Sequence, residues 1–218
     1  GVRLYRAATT AKDQSYVLGV LNAAQLRHSL FPLGSDASKA EVREEAAARG
    51  LTVARKPDSH DICFIPTGDT AGFLRSRLGS RPGDIVDERD EVVGAHTGTQ
   101  QFTVGQRHGL HLSVPAAGGR PRYVVALDPA TNTVRVGPRS ALAVSVIEGI
   151  EPTWTEKPRA GSWRGLVQVR AHGEAMPATI TAEETVRIEL AAPAYGIAPG
   201  QAAVYYDGER VVGSATIS

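Results

Sequence analysis

Cysteine is all but missing from this chain: of 218 residues, only Cys63 carries a thiol. A lone thiol closes no internal disulfide, so the expected setting is a reducing one, the cytoplasm. Its isolation also argues against structural zinc, which takes four ligands and usually several cysteines at matched spacing. His60 with Cys63 and His108 with His111 are close pairs, too few for such a site, and no metal is expected. Net charge is missing as well. Lys plus Arg number 24 against 23 Asp plus Glu, a formal +1, so nucleic-acid contacts have to rest on local patches. No apolar run reaches the roughly 18 residues of a membrane helix, and no basic-then-apolar leader is visible, so no membrane partner is expected.

What is present suits a globular protein, with 42% hydrophobic and 22% charged residues. The 23 glycines and 13 prolines concentrate after Pro66, which predicts a helical first part and a turn-rich β remainder. Arg3 to Tyr5 reads as a short strand. Lys12 to Tyr16 then opens a helix with Asp13 as N-cap, and Val17, Leu18, Leu21, Ala24 and Leu26 continue its apolar face. Lys12 and Gln14 are either solvated residues of a first turn or donors at a helix N-terminus to a phosphate or base carbonyl. Leu30 to Gly34 is an apolar run ended by a turn. Ser38-Lys39-Ala40-Glu41 has the form of a capping box for a helix over Val42 to Arg49, which Gly50 ends.

After Pro66, Asp69 or Thr70 caps a short helix over Ala71 to Leu78. Pro82 to Asp87 with Val92 to Gly94 predicts one hairpin, and Tyr123 to Leu127 with Val134 to Gly137 a second. Between them, Gly105 and Gly109 bracket Gln106 and Arg107, a shape open to close approach by a backbone or a phosphate, or to plain solvent. Six strands follow, over 143–150, 163–171, 178–182, 186–190, 202–206 and 211–217, with Asp207-Gly208 marking a tight turn. So many short strands in so little chain predict a closed barrel.

Cys63 lies in Asp58-Ser59-His60-Asp61-Ile62-Cys63-Phe64-Ile65-Pro66, where a polar loop meets a brief buried strand at Phe64 and Ile65. It is either a small buried hydrophobe or a partly exposed reactive thiol. Asp58 and Asp61 would raise its pKa, opposed locally only by Arg55, Lys56 and His60. The residues alone show no activated thiol, and nothing positions a base for a Cys-His hydrolase.

With Lys56 and Pro57 in front, the segment resembles the K-x-D-S-x-x-I-C-F-I motif of the bacterial tRNA-specific 2-thiouridylases. Lys12 to Tyr16 is similar to that family's K-D-Q-S-Y, Leu30 to Gly34 to its L-F-P-L-G, and Thr103 to Leu110 to its T-[IV]-G-Q-R-x-G-L, all in the family's order. The resemblance covers essentially the whole chain. It implies an enzyme that adenylates the wobble uridine of tRNA for Lys, Glu and Gln with ATP and Mg, then replaces the 2-oxygen by sulfur from a cysteine persulfide. Cys63 would carry that persulfide, which is more acidic than a thiol and can be loaded by a cysteine desulfurase or sulfur-relay protein. Lys12, Asp13 and Gln14 would line the tRNA. So would Arg170 with Ala171, which stands where the family often has tyrosine, and Gln201.

The family's SGGVDS-type pyrophosphate loop and second catalytic cysteine do not occur in this sequence. The resemblance therefore implies an α+β chain that is the C-terminal part of the enzyme and inactive alone. Residues 1–66 would be the helical tail of an α/β ATP-pyrophosphatase domain, 67–137 a small central β-rich domain, and 138–218 a six-stranded tRNA-binding β-barrel. The alternatives from other classes are a non-catalytic RNA-binding barrel module and an interaction barrel similar to those of translation factors. Neither would need the thiol.

Overall fold

A computed structural model describes residues 1–10, 13–35, 38–56, 65, 69–114 and 117–218. In chain order the elements are β1 (Leu4–Tyr5), α1 (Ser15–Leu18), α2 (Ala23–Leu26), α3 (Lys39–Ala48), α4 (Thr70–Leu78), β2 (Gly83–Val86), β3 (Val92–His96), β4 (Tyr123–Asp128) and β5 (Thr133–Gly137). Then follow β6 (Ala143–Trp154), β7 (Gly161–Gln168), β8 (Met176–Ala182), β9 (Val186–Tyr195), β10 (Ala202–Asp207) and β11 (Arg210–Ile217). No described helix is long and apolar enough to cross a membrane. The fold is α+β. Two compact units divide it: Gly1–Pro57 with Ser145–Pro193 and Pro199–Ser218, and Asp58–Val144 with Ala194–Ala198.

The first unit contains the expected barrel. Its strands run β11-β10-β7-β8-β9-β6, and β6 pairs back onto β11, so six strands close. Closure leaves no free edge for another chain to pair with. Along β9, Val186, Ile188 and Leu190 are buried while Arg187 and Glu189 face out, the period-2 pattern of a strand with one wet face. On β10, by contrast, Ala203, Val204, Tyr205 and Tyr206 are all buried. Tyr205 packs its ring against Trp154 and Trp163, at centroid distances of 5.5 and 6.2 Å. Val204 and Tyr206 point the other way, into a cluster with Leu4, Leu26 and Val211. Both faces are therefore covered. At the β10–β11 turn it is Gly208 (φ 61) that takes the left-handed position, inside the hairpin closed by Asp207 and Arg210.

The outer cover comes from the start of the chain. Strand β1 pairs antiparallel with β11, Leu4 opposite Val211, and Tyr16, Leu18 and Leu21 pack on the same cluster. The expected single helix from Asp13 to Leu26 is two short helices instead. α1 ends at Gly19, where an added Cβ would lie 2.6 Å from a Val204 methyl, so the backbone is pressed against the barrel. Asn22 then starts α2 through a reciprocal capping box with Gln25. Asp13 is not the N-cap of α1; Gln14 holds that position without a side-chain cap bond. Helix α3 begins as expected, with Ser38 accepting from the Glu41 N–H, and ends at Gly50 (φ 72). There the Gly50 and Leu51 N–H groups return to the Ala47 and Ala46 carbonyls, a Schellman end. It buries none of its residues.

In the second unit the two expected hairpins, β2–β3 and β4–β5, join by a parallel pairing of β2 with β5. Ile85, Val93, Leu110, Val124, Val134 and Val136 fill their core. Asp69 caps α4 by accepting from the Gly72 N–H at 2.8 Å.

Packing of the first helices on the barrel has a measurable consequence. Leu26 is 2% exposed and Val17 55% exposed. Leu26→Ala should destabilise the folded chain by about 2–4 kcal/mol in urea titration, while Val17→Ala should stay within about 0.5 kcal/mol. Equal small effects would mean that residues 13–28 do not share the barrel's core.

Candidate nucleic-acid interface

Asp13 is consumed locally. Its carboxylate accepts from the Ala7 N–H (3.2 Å), the Ser15 N–H (2.9 Å) and the Ser15 hydroxyl (2.8 Å). A carboxylate with three donors is a pin for the backbone around it and is not free to act as a base. Ser15 is buried, and its Oγ lies 3.3 Å from the Tyr206 phenol oxygen. The Ser15 proton is already given to Asp13. The single Tyr206 proton therefore serves Gln168 Oε1 at 3.1 Å, with Ser15 Oγ as a secondary acceptor. Gln168 is buried too, and its amide donates to the Arg170 carbonyl (2.8 Å) and the Ala171 carbonyl (3.3 Å).

A continuous run of hydrogen bonds thus leads from Asp13 to the backbone that carries Arg170 and Ala171. Expected inside a strand, these two residues instead follow the end of β7, in a bend closed by the Gly173 N–H on the Arg170 carbonyl. Both are exposed, as is Gln14. Tyr16 completes the arrangement: its hydroxyl donates to the Ala202 carbonyl at 3.0 Å, beside Gln201. Burial pushes the Tyr16 phenol pKa up, and the positive charge of Arg170 opposes that shift. Gln201 is half-buried at the start of β10, its carbonyl accepts the Ile217 N–H, and its Oε1 is buried without a hydrogen-bond partner among the described residues.

Arg6 lies over the Tyr206 ring, 4.1 Å from guanidinium carbon to centroid, with Nε and Nη2 buried and unpartnered among the described residues. The ring face supplies a cation–π contact. Tyr206 has its pKa raised, chiefly by burial, with the Ser15 hydrogen bond and Arg6 pulling the other way. Of the expected site residues, then, Asp13, Gln14, Arg170, Ala171 and Gln201 gather on one unit, tied through Ser15, Tyr16, Gln168 and Tyr206. Nothing in the residues alone marks those four tying residues as part of a site. Ser15 and Tyr16 belong to the K-D-Q-S-Y segment, so a signal existed for them. Gln168 and Tyr206 read as ordinary strand residues. Cys63 and Lys12 lie outside the described residues, as do Asp58 to Asp61 and Phe64; Ile65 is buried.

Three family models match the chain in succession. They are the tRNA methyl transferase HUP domain over residues 1–67, the tRNA methyl transferase PRC-barrel domain over 71–138, and the aminomethyltransferase beta-barrel domain over 144–217. Among curated relatives, a tRNA-specific 2-thiouridylase MnmA of Acidothermus cellulolyticus is 58% identical over 219 residues, covering 100% of this chain and 60% of the relative. The proteins of that name from Cutibacterium acnes and Kineococcus radiotolerans are each 56% identical, over 99% of this chain and 59% and 60% of their own lengths. The chain thus spans about 60% of the length of the curated relatives it matches.

The hydroxyl of Tyr206 can be tested directly. Tyr206→Phe leaves Gln168 Oε1 buried without a donor and should cost about 1–3 kcal/mol. A double-mutant cycle with Ser15→Ala should give a coupling energy of at least about 0.5 kcal/mol, and additive effects would show the contact to be idle. Alkaline pH gives a second reading. A phenol whose pKa is raised on folding stabilises the fold below its unfolded pKa, about 10, and that contribution is lost as pH rises through the folded value. Urea midpoints should therefore fall above about pH 10, and less steeply in Tyr206→Phe than in the parent.

Proposed function

Because the chain belongs to the tRNA-specific 2-thiouridylase family, we propose that it is part of a sulfurtransferase making 2-thiouridine at the wobble position of tRNA for Lys, Glu and Gln. The observation that carries this reading is the run of hydrogen bonds from Asp13 through Ser15, Tyr206 and Gln168 to Arg170 and Ala171. It gathers the residues that the resemblance assigns to tRNA onto one unit, although some 150 positions of chain separate them. Charge supports it as well: Arg6 and Arg170 lie near this network, while its one carboxylate, Asp13, is taken up by three donors.

In this reading Lys12, Asp13 and Gln14 form a turn against the RNA near the reacting uridine. Asp13 fixes the turn, and Gln14 presents an amide. Arg170 contacts the phosphate backbone, and Ala171 leaves room where a larger residue would stack. Gln201 adds a further polar contact. Cys63 holds the persulfide. Its terminal sulfur bonds to C2 of the uridine while the activated 2-oxygen departs. A second thiol, not found in this chain, then attacks the Cys63 sulfur, breaks the persulfide bond and leaves a disulfide for a cellular reductant to reopen.

The sequence holds no SGGVDS-type pyrophosphate loop, so ATP with Mg, which would supply the activation of the 2-oxygen, is assigned to the longer protein. The isolated chain is accordingly inactive. A cysteine desulfurase or sulfur-relay protein loads Cys63, and the setting is cytoplasmic. The division at 1–66, 67–137 and 138–218 is kept as the domain organisation, supported by the succession of family-model matches, with residues 1–57 gathered onto the barrel unit. Those family-model descriptions speak of methyl transfer, but the relatives' names and the thiol inside D-S-x-x-I-C-F-I favour sulfur.

In the full-length protein, Cys63→Ser should abolish 2-thiouridine formation, measured by mass spectrometry of tRNA, while tRNA affinity stays near that of the parent. Persistent thiolation would remove Cys63 from the chemistry, and a parent protein that binds tRNA without thiolating it would return the non-catalytic RNA-binding barrel as the better reading. Arg170→Ala should weaken tRNA binding and reduce the slope of log K against log salt by about 1. An unchanged slope would take Arg170 out of the interface.

A further inference from the structure

We infer that the groove lined by Arg107, His108, His111 and Arg122, in the hairpin unit, is a binding site for a phosphate of the RNA backbone; this rests on the reading of the chain as tRNA-binding. The groove is open to solvent, with a volume of about 440 Å³, and no carboxylate lines it among the described residues. Its shape is built in. The Gly105 N–H donates to the Val124 carbonyl at 2.7 Å and the Val124 N–H to the Gln106 carbonyl at 2.9 Å, which fasten the loop to β4. The Gln106 side chain spans the loop, with Oε1 accepting from the Thr103 N–H and Nε2 donating to the His108 carbonyl. Gly105 (φ 89) and Gly109 (φ 72) make the reversals that leave Arg107 and His108 at the tip. Leu110 and Leu112 pack into the core on either side of His111, which is left exposed.

Arg122 forms the wall. It donates to the Val114 carbonyl at 2.9 Å and to Asp87 at 3.2 Å, so its charge is offset. The backbone N–H of Arg89, with Glu91 N–H and Arg122, holds the Asp87 carboxyl below the usual carboxylate range, which keeps that pair ionised. Arg107, His108 and His111 are different. Their side chains are exposed and make no ion pair or hydrogen bond among the described residues. Some exposed arginines elsewhere face carboxylates, as Arg187 does Glu148, Arg159 does Asp207 and Arg135 does Asp90, whereas Arg107 stands beside two imidazoles. On a chain of net charge +1, this groove is a local cationic excess shaped in advance. A guanidinium fork with flanking imidazoles suits the oxygens of a phosphodiester. An acidic protein segment would meet the same cations, but the groove's leucines are committed to the core and offer it little apolar anchoring.

The test is binding of an unmodified tRNA transcript to the chain over a salt series, with poly-L-glutamate as an acidic-peptide probe. Arg107→Glu should lower tRNA affinity about tenfold and reduce the salt slope by about 1. Arg107→Lys should keep the slope. Neither should shift the thermal midpoint, since Arg107 has no partner to lose. If the parent binds tRNA and Arg107→Glu changes neither affinity nor slope, the groove assignment fails and the tRNA reading stands. Dependence on Arg107 toward poly-L-glutamate alone overturns it in favour of a protein partner. A parent chain without tRNA affinity overturns both.

Discussion

Tyr206 is the residue on which the amino-terminal segment and the barrel both depend. Its ring belongs to the cluster of Leu4, Leu26, Val204 and Val211 that lets a short strand and two short helices adhere to the outside of a closed barrel. Its ring face receives the Arg6 guanidinium, and its hydroxyl reaches Gln168 and Ser15. Apolar burial gives the contact its strength, while the hydroxyl gives it register, since a buried phenol has to find particular partners. The same side chain thereby fixes where Asp13 and Gln14 stand relative to Arg170.

This design has a cost that is visible in the structure. Two nitrogens of Arg6 and one oxygen of Gln201 are buried without partners among the described residues, and unpaired buried polar atoms are unfavourable. All three lie around the surface that the family resemblance assigns to tRNA. They sit on a closed barrel, behind whose strands Tyr205, Trp154 and Trp163 pack as a ring cluster. A polar, partly unsatisfied face on a rigid support is a common arrangement for a binding surface.

Much of the fold was legible because it rests on local signals. Turn residues and period-2 alternation give the hairpins and the six barrel strands, and Ser38, Gly50 and Asp69 mark helix ends where the structure has them. Structure and sequence pattern part where distant segments meet. Helical spacing from Val17 to Leu26 reads as one helix, yet the approach of Val204 to Gly19 forces a break, and Asn22 with Gln25 restarts the chain. The β7 strand stops at Gln168 because Gln168 turns its amide onto the Arg170 and Ala171 carbonyls, which places Arg170 in a bend. Val204 and Tyr206 read as one face of an ordinary strand; only the folded chain shows that residues near the start cover them. The motif resemblance points to Asp13, Gln14, Arg170 and Gln201, and its K-D-Q-S-Y segment includes Ser15, but Gln168 and Tyr206, which tie Ser15 to the Arg170 backbone, carry no motif signal.

In the reading proposed above, residues near the start of the chain and two separate barrel segments act as one RNA-facing surface. Hydrogen exchange of the chain with and without unmodified tRNA tests it most directly. On a single surface, tRNA should slow exchange together at residues 13–18, 168–173 and 201–203, at one common tRNA concentration and with one common salt dependence. Protection of the barrel segments without 13–18, or none at any of the three, would contradict it.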